Sequence, residues 1–211
     1  MSTKTDEQLL LAWRAGDRKA GGVLFERHYP RVAMFFQNKV SEPDDLIQRT
    51  FLECVKAADR FRIDASFRAY LLGIAVNVLR NHYRRLNGPR NHAPLPDASV
   101  EDLGQTPSQV LAGREEERLL LAALRRLPVE LQMVLELYYW ERMKTHELAE
   151  VLGWPLGTVR DRLGRARRKL EELLAALSTS SAALESATMR LDEWVERLRE
   201  RILAPDREDD E

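Results

Sequence analysis

The chain has 211 residues, 44% of them apolar and 32% charged, with a formal net charge of −1 and a single cysteine. That apolar content supports one or two packed domains and excludes a disordered chain. One cysteine excludes an internal disulfide, and no stretch approaches the roughly 20 apolar residues of a membrane span.

Charge is unevenly placed. Residues 185–211 hold ten acids against five arginines, a net of −5, which leaves +4 on residues 1–184. Local potential rather than the net figure governs attraction to nucleic acid. The opening residues MSTKTDEQ lack the basic-then-apolar layout of a signal peptide, so a cytoplasmic protein is expected.

Nearly every periodic segment reads as helix. Asp6 to Arg14 carries Leu9, Leu10 and Trp13, and Gly16-Asp17 breaks it. Lys19 to Val40 places Val23, Leu24, Tyr29, Val32, Phe35, Phe36 and Val40 on one face, with Pro30 predicting a kink or break. Ser41-Glu42-Pro43-Asp44 reads as a helix start with Pro43 in the first turn. The helix that follows, to Ala58, turns Leu46, Ile47, Thr50, Phe51, Cys54 and Val55 inward. Cys54 in that pattern reads as an inert core thiol. Asp59 to Asp64 is a connector, and Ser66 caps a helix from about Phe67 to Arg85.

Residues 87–113 change character, with Pro89, Pro94, Pro96 and Pro107 and no apolar period. This reads as a linker. Its roughly 25 residues could extend to about 80 Å, two turns of duplex at about 34–36 Å each. A second domain starts near Arg114, with an amphipathic helix over Leu119–Leu127 and then Pro128 capping Val129–Trp140.

The segment Lys144–Leu170 is the most informative. Leu148, Ala149, Val151 and Leu152 form the inner face of a short helix, and Gly153 stands where a left-handed residue often ends one. Trp154-Pro155 blocks continuation, and Thr158 reads as the cap of the next helix. From Thr158 to Lys169 stand Arg160, Arg162, Arg165, Arg167, Arg168 and Lys169 against one acid, Asp161. Val159, Leu163, Ala166 and Leu170 recur at helical spacing. A short apolar helix, a Gly/Pro turn and a basic helix form the pattern of a DNA-reading helix-turn-helix. After the polar break at Ser178–Ser181, residues 184–203 resume an amphipathic helical pattern, and residues 206–211 form an acidic tail.

No catalytic or metal constellation emerges. His28, His82, His92 and His146 lack metal-ligand spacing, no phosphate-binding glycine loop is present, and adjacent Asp44-Asp45 point to different sides of a helix. The expectation is a non-enzyme with no cofactor and no metal.

Two helical domains, a Pro-rich linker and a C-terminal helix-turn-helix resemble a bacterial RNA polymerase sigma factor, in particular the extracytoplasmic-function (ECF) subfamily of the sigma-70 family. DDLIQRTFLECVKAADRF (44–61) resembles the family's polymerase-docking region. FRAYLLGIAVNVLRNHYRR (67–85) resembles its −10 reader, and LPVELQMVLELYYW (127–140) with the helix-turn-helix resembles its −35 reader. The resemblance implies an all-α fold with residues 1–86 as region 2, 87–113 as linker, 114–177 as region 4 and 178–211 as an extension. It implies that Asp45, Leu46, Gln48 and Phe51 bind core RNA polymerase, although Leu46 and Phe51 read equally as core packing.

For the −10 element of promoter DNA it implies Tyr70, Asn77, Arg80, Asn81, Tyr83, Arg84 and Arg85. Asn77 lies beside a flipped-base pocket, Tyr83 supplies a stacking ring, and Tyr70 is a wedge or a packing residue. For the −35 element it implies Thr158, Arg160, Asp161, Arg162, Arg165, Arg167 and Arg168. Arg160 and Arg165 face bases, while Arg162, Arg167 and Arg168 touch phosphates. Thr158 and its neighbouring amides bind a phosphate. Arg49, Tyr70, Asp161 and Gly164 depart from the usual family residues, and the last two imply a divergent −35 preference. An anti-sigma factor that masks the binding faces is a further implied partner.

The alternative is a stand-alone helix-turn-helix regulator, which would not need the docking region. The extension reads either as a regulatory segment competing for basic surfaces or as a stabilising helix.

Overall fold

A computed structural model of the chain describes residues 4–58, 61, 66–86, 99–100 and 115–177. Most of the linker and the whole 178–211 extension lie outside the described residues. The described residues are helical: α1 (Asp6–Arg14), α2 (Arg18–Gln37), α3 (Pro43–Ala57), α4 (Phe67–Leu86), α5 (Glu115–Arg125), α6 (Val129–Tyr139), α7 (Thr145–Leu152) and α8 (Leu156–Leu177). They form two compact units, one holding α1–α4 and the other α5, α6, most of α7, and α8.

In the first unit each helix starts and stops where local chemistry directs it. Thr5 and Gln8 exchange side-chain and backbone hydrogen bonds in a capping box ahead of α1. Gly16 takes φ +99°, and Asp17 then accepts from the Lys19 and Ala20 amides to open α2. Pro43 opens α3 at its first turn. The Ser66 hydroxyl accepts from Ala69 N–H and opens α4.

Helix α2 runs on through Pro30, so of the expected kink or break the break does not occur. Pro30 and Glu26 are both exposed, so the Glu26 carbonyl that loses its helix donor can be hydrated instead.

The core of this unit is aromatic and aliphatic: Leu24, Phe36, Leu71, Leu72, Val76, Leu79 and Tyr83 are almost fully buried. Rings make a chain of contacts across the helices. Trp13 meets Phe25 edge-on at 5.2 Å, and Phe25 meets Phe51 at 5.0 Å. Phe51 stacks with Tyr29 at 6.2 Å. Trp13 fits because Gly21 lacks a Cβ; one placed there would lie 2.7 Å from the Trp13 ring. Arg14 donates to the Ala58 and Phe61 carbonyls, tying α1 to the chain beyond α3. Cys54 is fully buried, and burial pushes its thiol pKa up to about 12, as befits an inert core thiol.

In the second unit, α8 packs against α6 and α5. Pro128 precedes α6, and its carbonyl accepts from the Leu131 and Gln132 amides at 2.9 Å. The linker is not wholly independent of this unit. Ser99 forms an antiparallel bridge with Pro128, and Val100 is fully buried. A lone valine leaves no periodic trace in the sequence, so this anchor is not legible there.

Two predictions follow from the first unit. Gly21→Ala places a methyl against Trp13, at a cost of about 1–3 kcal/mol for overpacking, partly offset by up to ~1 kcal/mol of helix propensity. Gly22→Ala meets nothing within 4 Å and should stabilise by about 0.5–1 kcal/mol. Denaturant unfolding of the two variants should therefore shift in opposite directions.

The second prediction concerns acid. His28 is buried and bonded to Asp6 at 2.7 Å; burial lowers its pKa against the pull of Asp6, with Arg27 and Arg31 adding to the lowering. His82 is lowered by burial too, against Asp45 and with Arg85. A histidine pKa lowered by folding means that the unfolded chain takes the proton first. Stability is then full above the unfolded value of about 6.5 and falls as pH drops through the folded values. The melting temperature should fall from pH 7.5 to 5.5, and His28→Phe with His82→Phe should remove most of that slope. An unchanged slope would contradict the assignment.

Candidate nucleic-acid interface

The turn between α7 and α8 is built as the sequence suggested, with one change. Gly153 takes φ +66°, and Trp154 N–H reaches back to the Ala149 carbonyl at 3.0 Å, closing a Schellman-type helix end. Leu148, Val151 and Leu152 are buried and Ala149 is half-buried. Helix α8 begins at Leu156, however, so Thr158 lies in its first turn and is not the cap. Pro155 accounts for the shift: its fixed φ suits the approach to a helix, and its carbonyl accepts from Val159 N–H. Thr158 is half-buried in the first turn, near the positive end of the helix dipole.

Along α8, Val159, Leu163, Ala166, Leu170 and Leu174 are buried. This spine contains all four positions read from the periodicity. Burying it turns Arg160, Asp161, Arg165 and Arg168 outward, where all four are exposed. Gly164 lies among them and leaves the strip low.

Arg162 and Arg167 are placed differently from expectation. Arg162 is ion-paired to Glu130 of α6, and its guanidinium carbon lies 4.0 Å from the centroid of the Trp154 ring. Arg167 donates from Nε to the Tyr139 hydroxyl at 2.9 Å and faces the Tyr138 ring at 5.0 Å. Both are engaged within their own unit, so the expectation that they reach phosphates does not describe this arrangement. Their charge is legible in the sequence; their partners Glu130, Trp154, Tyr138 and Tyr139 follow no spacing rule and are not.

Helix α4 carries the other cationic surface. Asn77 is exposed, Arg80 and Asn81 are half-buried, and Arg84 and Arg85 are exposed. Arg84 donates to Asn81 Oδ1 at 2.6 Å. Tyr83 is fully buried, and burial raises its pKa further above the usual phenol range. Its ring is a core component in this fold, which corrects the expectation of a base-stacking ring there. Tyr70 is half-buried, donates to the Ala57 carbonyl at 3.2 Å and packs on Phe61 at 4.5 Å; of its two readings the packing role fits this placement. His82 Nε2 is buried without a hydrogen-bond partner, and with its pKa lowered the ring adds no charge at neutral pH.

The third surface is an open groove of about 820 Å³ between α2 and α3. Phe25, Tyr29, Phe51, Leu52 and Val55 supply its apolar lining, and Glu26, Asp44, Asp45 and Gln48 are its polar members. Asp45, Gln48 and Phe51 are thus brought together as expected, with Phe51 half-exposed to the groove. Leu46 is only 4% exposed and packs inward, outside the groove lining. Val55 was expected inward but is 48% exposed, as are Tyr29 at 50% and Leu52 at 53%. The broad apolar stripes of α2 and α3 exceed what the core can cover, and the surplus lines the groove.

Among the described residues no group of His, Cys, Asp and Glu could hold a metal ion, and no helix is long and apolar enough to cross a membrane.

Known proteins resemble this chain in sequence and fold. Residues 24–88 match the family described as Sigma-70 region 2, and residues 117–170 match Sigma-70, region 4. The ECF RNA polymerase sigma-E factor of Haemophilus influenzae is 30% identical over 184 residues, covering 82% of this chain and 97% of that protein. Its counterpart in Escherichia coli K12 is 29% identical, with 82% and 96% covered. Among solved structures, CnrH in complex with the cytosolic domain of CnrY has a TM-score of 0.58 at 28% identity, covering 82% of this chain and 99% of that one. The sigma factor RpoE in complex with the anti-sigma factor NepR from Bartonella quintana shares the fold, with a TM-score of 0.56 at 21% identity and 74% and 98% covered. Two family regions in order on an all-helical chain, and near-complete coverage of these relatives, place the chain in the extracytoplasmic-function subfamily of the sigma-70 RNA polymerase sigma factors, non-catalytic proteins that bind the polymerase and direct it to promoters.

Proposed function

We propose that three surfaces divide the work of promoter-directed initiation. The α2–α3 groove docks core RNA polymerase through Asp45, Gln48 and Phe51, with Leu46 held in the core on the same helix. The exposed end of α4 engages the −10 element: Asn77 holds a base taken out of the stack, while Arg80, Asn81, Arg84 and Arg85 track the separating backbone. Helix α8 engages the −35 element. There Arg160 and Arg165 address base edges, Asp161 accepts from a cytosine amino group, Arg168 meets phosphate, and the first turn at Thr158 meets another phosphate.

In domain terms, residues 1–86 act as region 2, 87–113 as linker, 114–177 as region 4 and 178–211 as an extension. An anti-sigma factor is the proposed inhibitor. Its support is that the similar CnrH was solved with a protein partner and that a fold relative was solved with an anti-sigma factor.

The observation that carries this reading is the apolar groove rimmed by Glu26, Asp44 and Asp45. Duplex DNA has no use for such a surface, because its phosphates are repelled by carboxylates and gain little from buried hydrocarbon. A stand-alone regulator would leave the groove idle, whereas a polymerase subunit needs it.

The test is transcription from a randomised promoter library with core RNA polymerase, with and without this protein. Start sites that depend on the protein are expected. Asn77→Ala with Arg80→Ala should reduce them at least tenfold, since a base contact is worth about 1–3 kcal/mol. No new start sites, with duplex binding intact, would favour the stand-alone regulator.

A further inference from the structure

Recognition helices are usually read by counting their cations, but the six on α8 fall into two classes. At about 100° per residue, Arg165 and Arg168 lie roughly opposite the buried spine. Arg162 falls about 80° to one side of the spine and Arg167 about 60° to the other. Arg160, about 80° from the spine on the Arg167 side, and Lys169, about 100° on the Arg162 side, are exposed, so what sets Arg162 and Arg167 apart is that the protein holds them. Arg162 lies between the Trp154 ring of the turn and the Glu130 carboxylate of α6, with the pair's side chains only 24% and 14% exposed. Arg167 lies against the Tyr138 and Tyr139 rings, at 5.0 and 5.4 Å, near the end of the same helix α6.

We propose that Arg162 and Arg167 are positioning residues. They clamp α8 to α6 from both sides, fix its roll about its own axis, and make no contact with DNA phosphate. Roll matters because a side chain about 5–6 Å from the helix axis moves ~1 Å for each 10° of rotation. A bidentate arginine–guanine pair does not survive such a displacement without loss of hydrogen-bond geometry. The apolar spine alone, made of Val, Leu and Ala, resists separation of the helices more than rotation. An ion pair backed by an aromatic face on one side and a hydroxyl with two rings on the other supply directional restraint. Arg fits this task and Lys does not, because the planar guanidinium can stack and donate at once.

The inference rests on the reading that α8 enters duplex DNA, and the test separates the two. The full-length chain is titrated with mixed-sequence duplex over a range of salt, and its complex with core polymerase is assayed on the promoters recovered from the library. Neutralising a phosphate contact lowers the slope of log K against log salt by about 0.9. Arg168→Gln should show that loss. Arg162→Gln and Glu130→Gln should leave the slope unchanged, yet both should flatten base preference across the −35 element about tenfold or more.

Glu130→Gln is the sharpest variant, because removing an acid near DNA should tighten binding if Arg162 were thereby released to a phosphate. Arg162→Lys, which keeps the charge and loses the stack, should retain helix content by circular dichroism and lose part of the selectivity at unchanged slope. A slope reduced by about 0.9 in Arg162→Gln, with tighter duplex binding by Glu130→Gln, would overturn the clamp and make Arg162 a phosphate contact. A slope that ignores Arg165→Gln and Arg168→Gln as well would remove the DNA reading of the helix, and the clamp with it.

Discussion

The apolar spine of α8 is the constraint on which the second unit depends. Five side chains, Val159, Leu163, Ala166, Leu170 and Leu174, repeat at helical spacing and bury against α6 and α5. Burial of each Val or Leu side chain contributes roughly 1.5–3 kcal/mol, so the spine together is comparable with the roughly 5–15 kcal/mol net stability of a domain. No rotation of the helix keeps that burial and also hides the arginines opposite. The basic strip is therefore a consequence of packing: once the spine is inward, Arg160, Arg165 and Arg168 are outward. What the spine leaves soft, the roll of the helix, is where Arg162 and Arg167 act.

The first unit obeys the same logic with a different outcome. Its helices carry more apolar surface than four helices can cover. Rings run from half-buried Trp13 to Phe25, Phe51 and Tyr29, and the last three line the α2–α3 groove. Gly21 admits the first ring of this series, so a residue remote from the groove helps set its floor. Acidic groups at the groove and cationic groups on α4 lie on the same unit, which lets one small fold offer one face suited to protein and another suited to nucleic acid.

Periodicity in the sequence identified the helices well, because capping residues and apolar stripes are local. Asp6–Arg14, the Pro43 start and the spine of α8 were all legible. Edges of a stripe were not. Leu46 and Phe51, or Cys54 and Val55, read alike as apolar positions on α3, yet Leu46 and Cys54 are buried while Phe51 and Val55 reach the groove. Tyr83 read as a stacking ring because it stands among cations, but a ring at that helical angle faces the core. Long side chains were the hardest to place. An arginine can bend its polar end back to a partner distant in sequence, as Arg162 does to Glu130, and no spacing rule encodes that. Val100 failed for the opposite reason, as a lone buried anchor inside a Pro-rich stretch.

The central claim is that the groove of the first unit meets polymerase while the strip on α8 meets promoter DNA. Site-specific photocrosslinking tests it most directly, with a photoreactive residue at Leu52 in one chain and at Arg165 in another, each assembled with core polymerase on a recovered promoter. The account predicts that Leu52 captures a polymerase subunit and no DNA, and that Arg165 captures DNA near position −35. Crosslinks from Leu52 to DNA, or from Arg165 to polymerase alone, would contradict it.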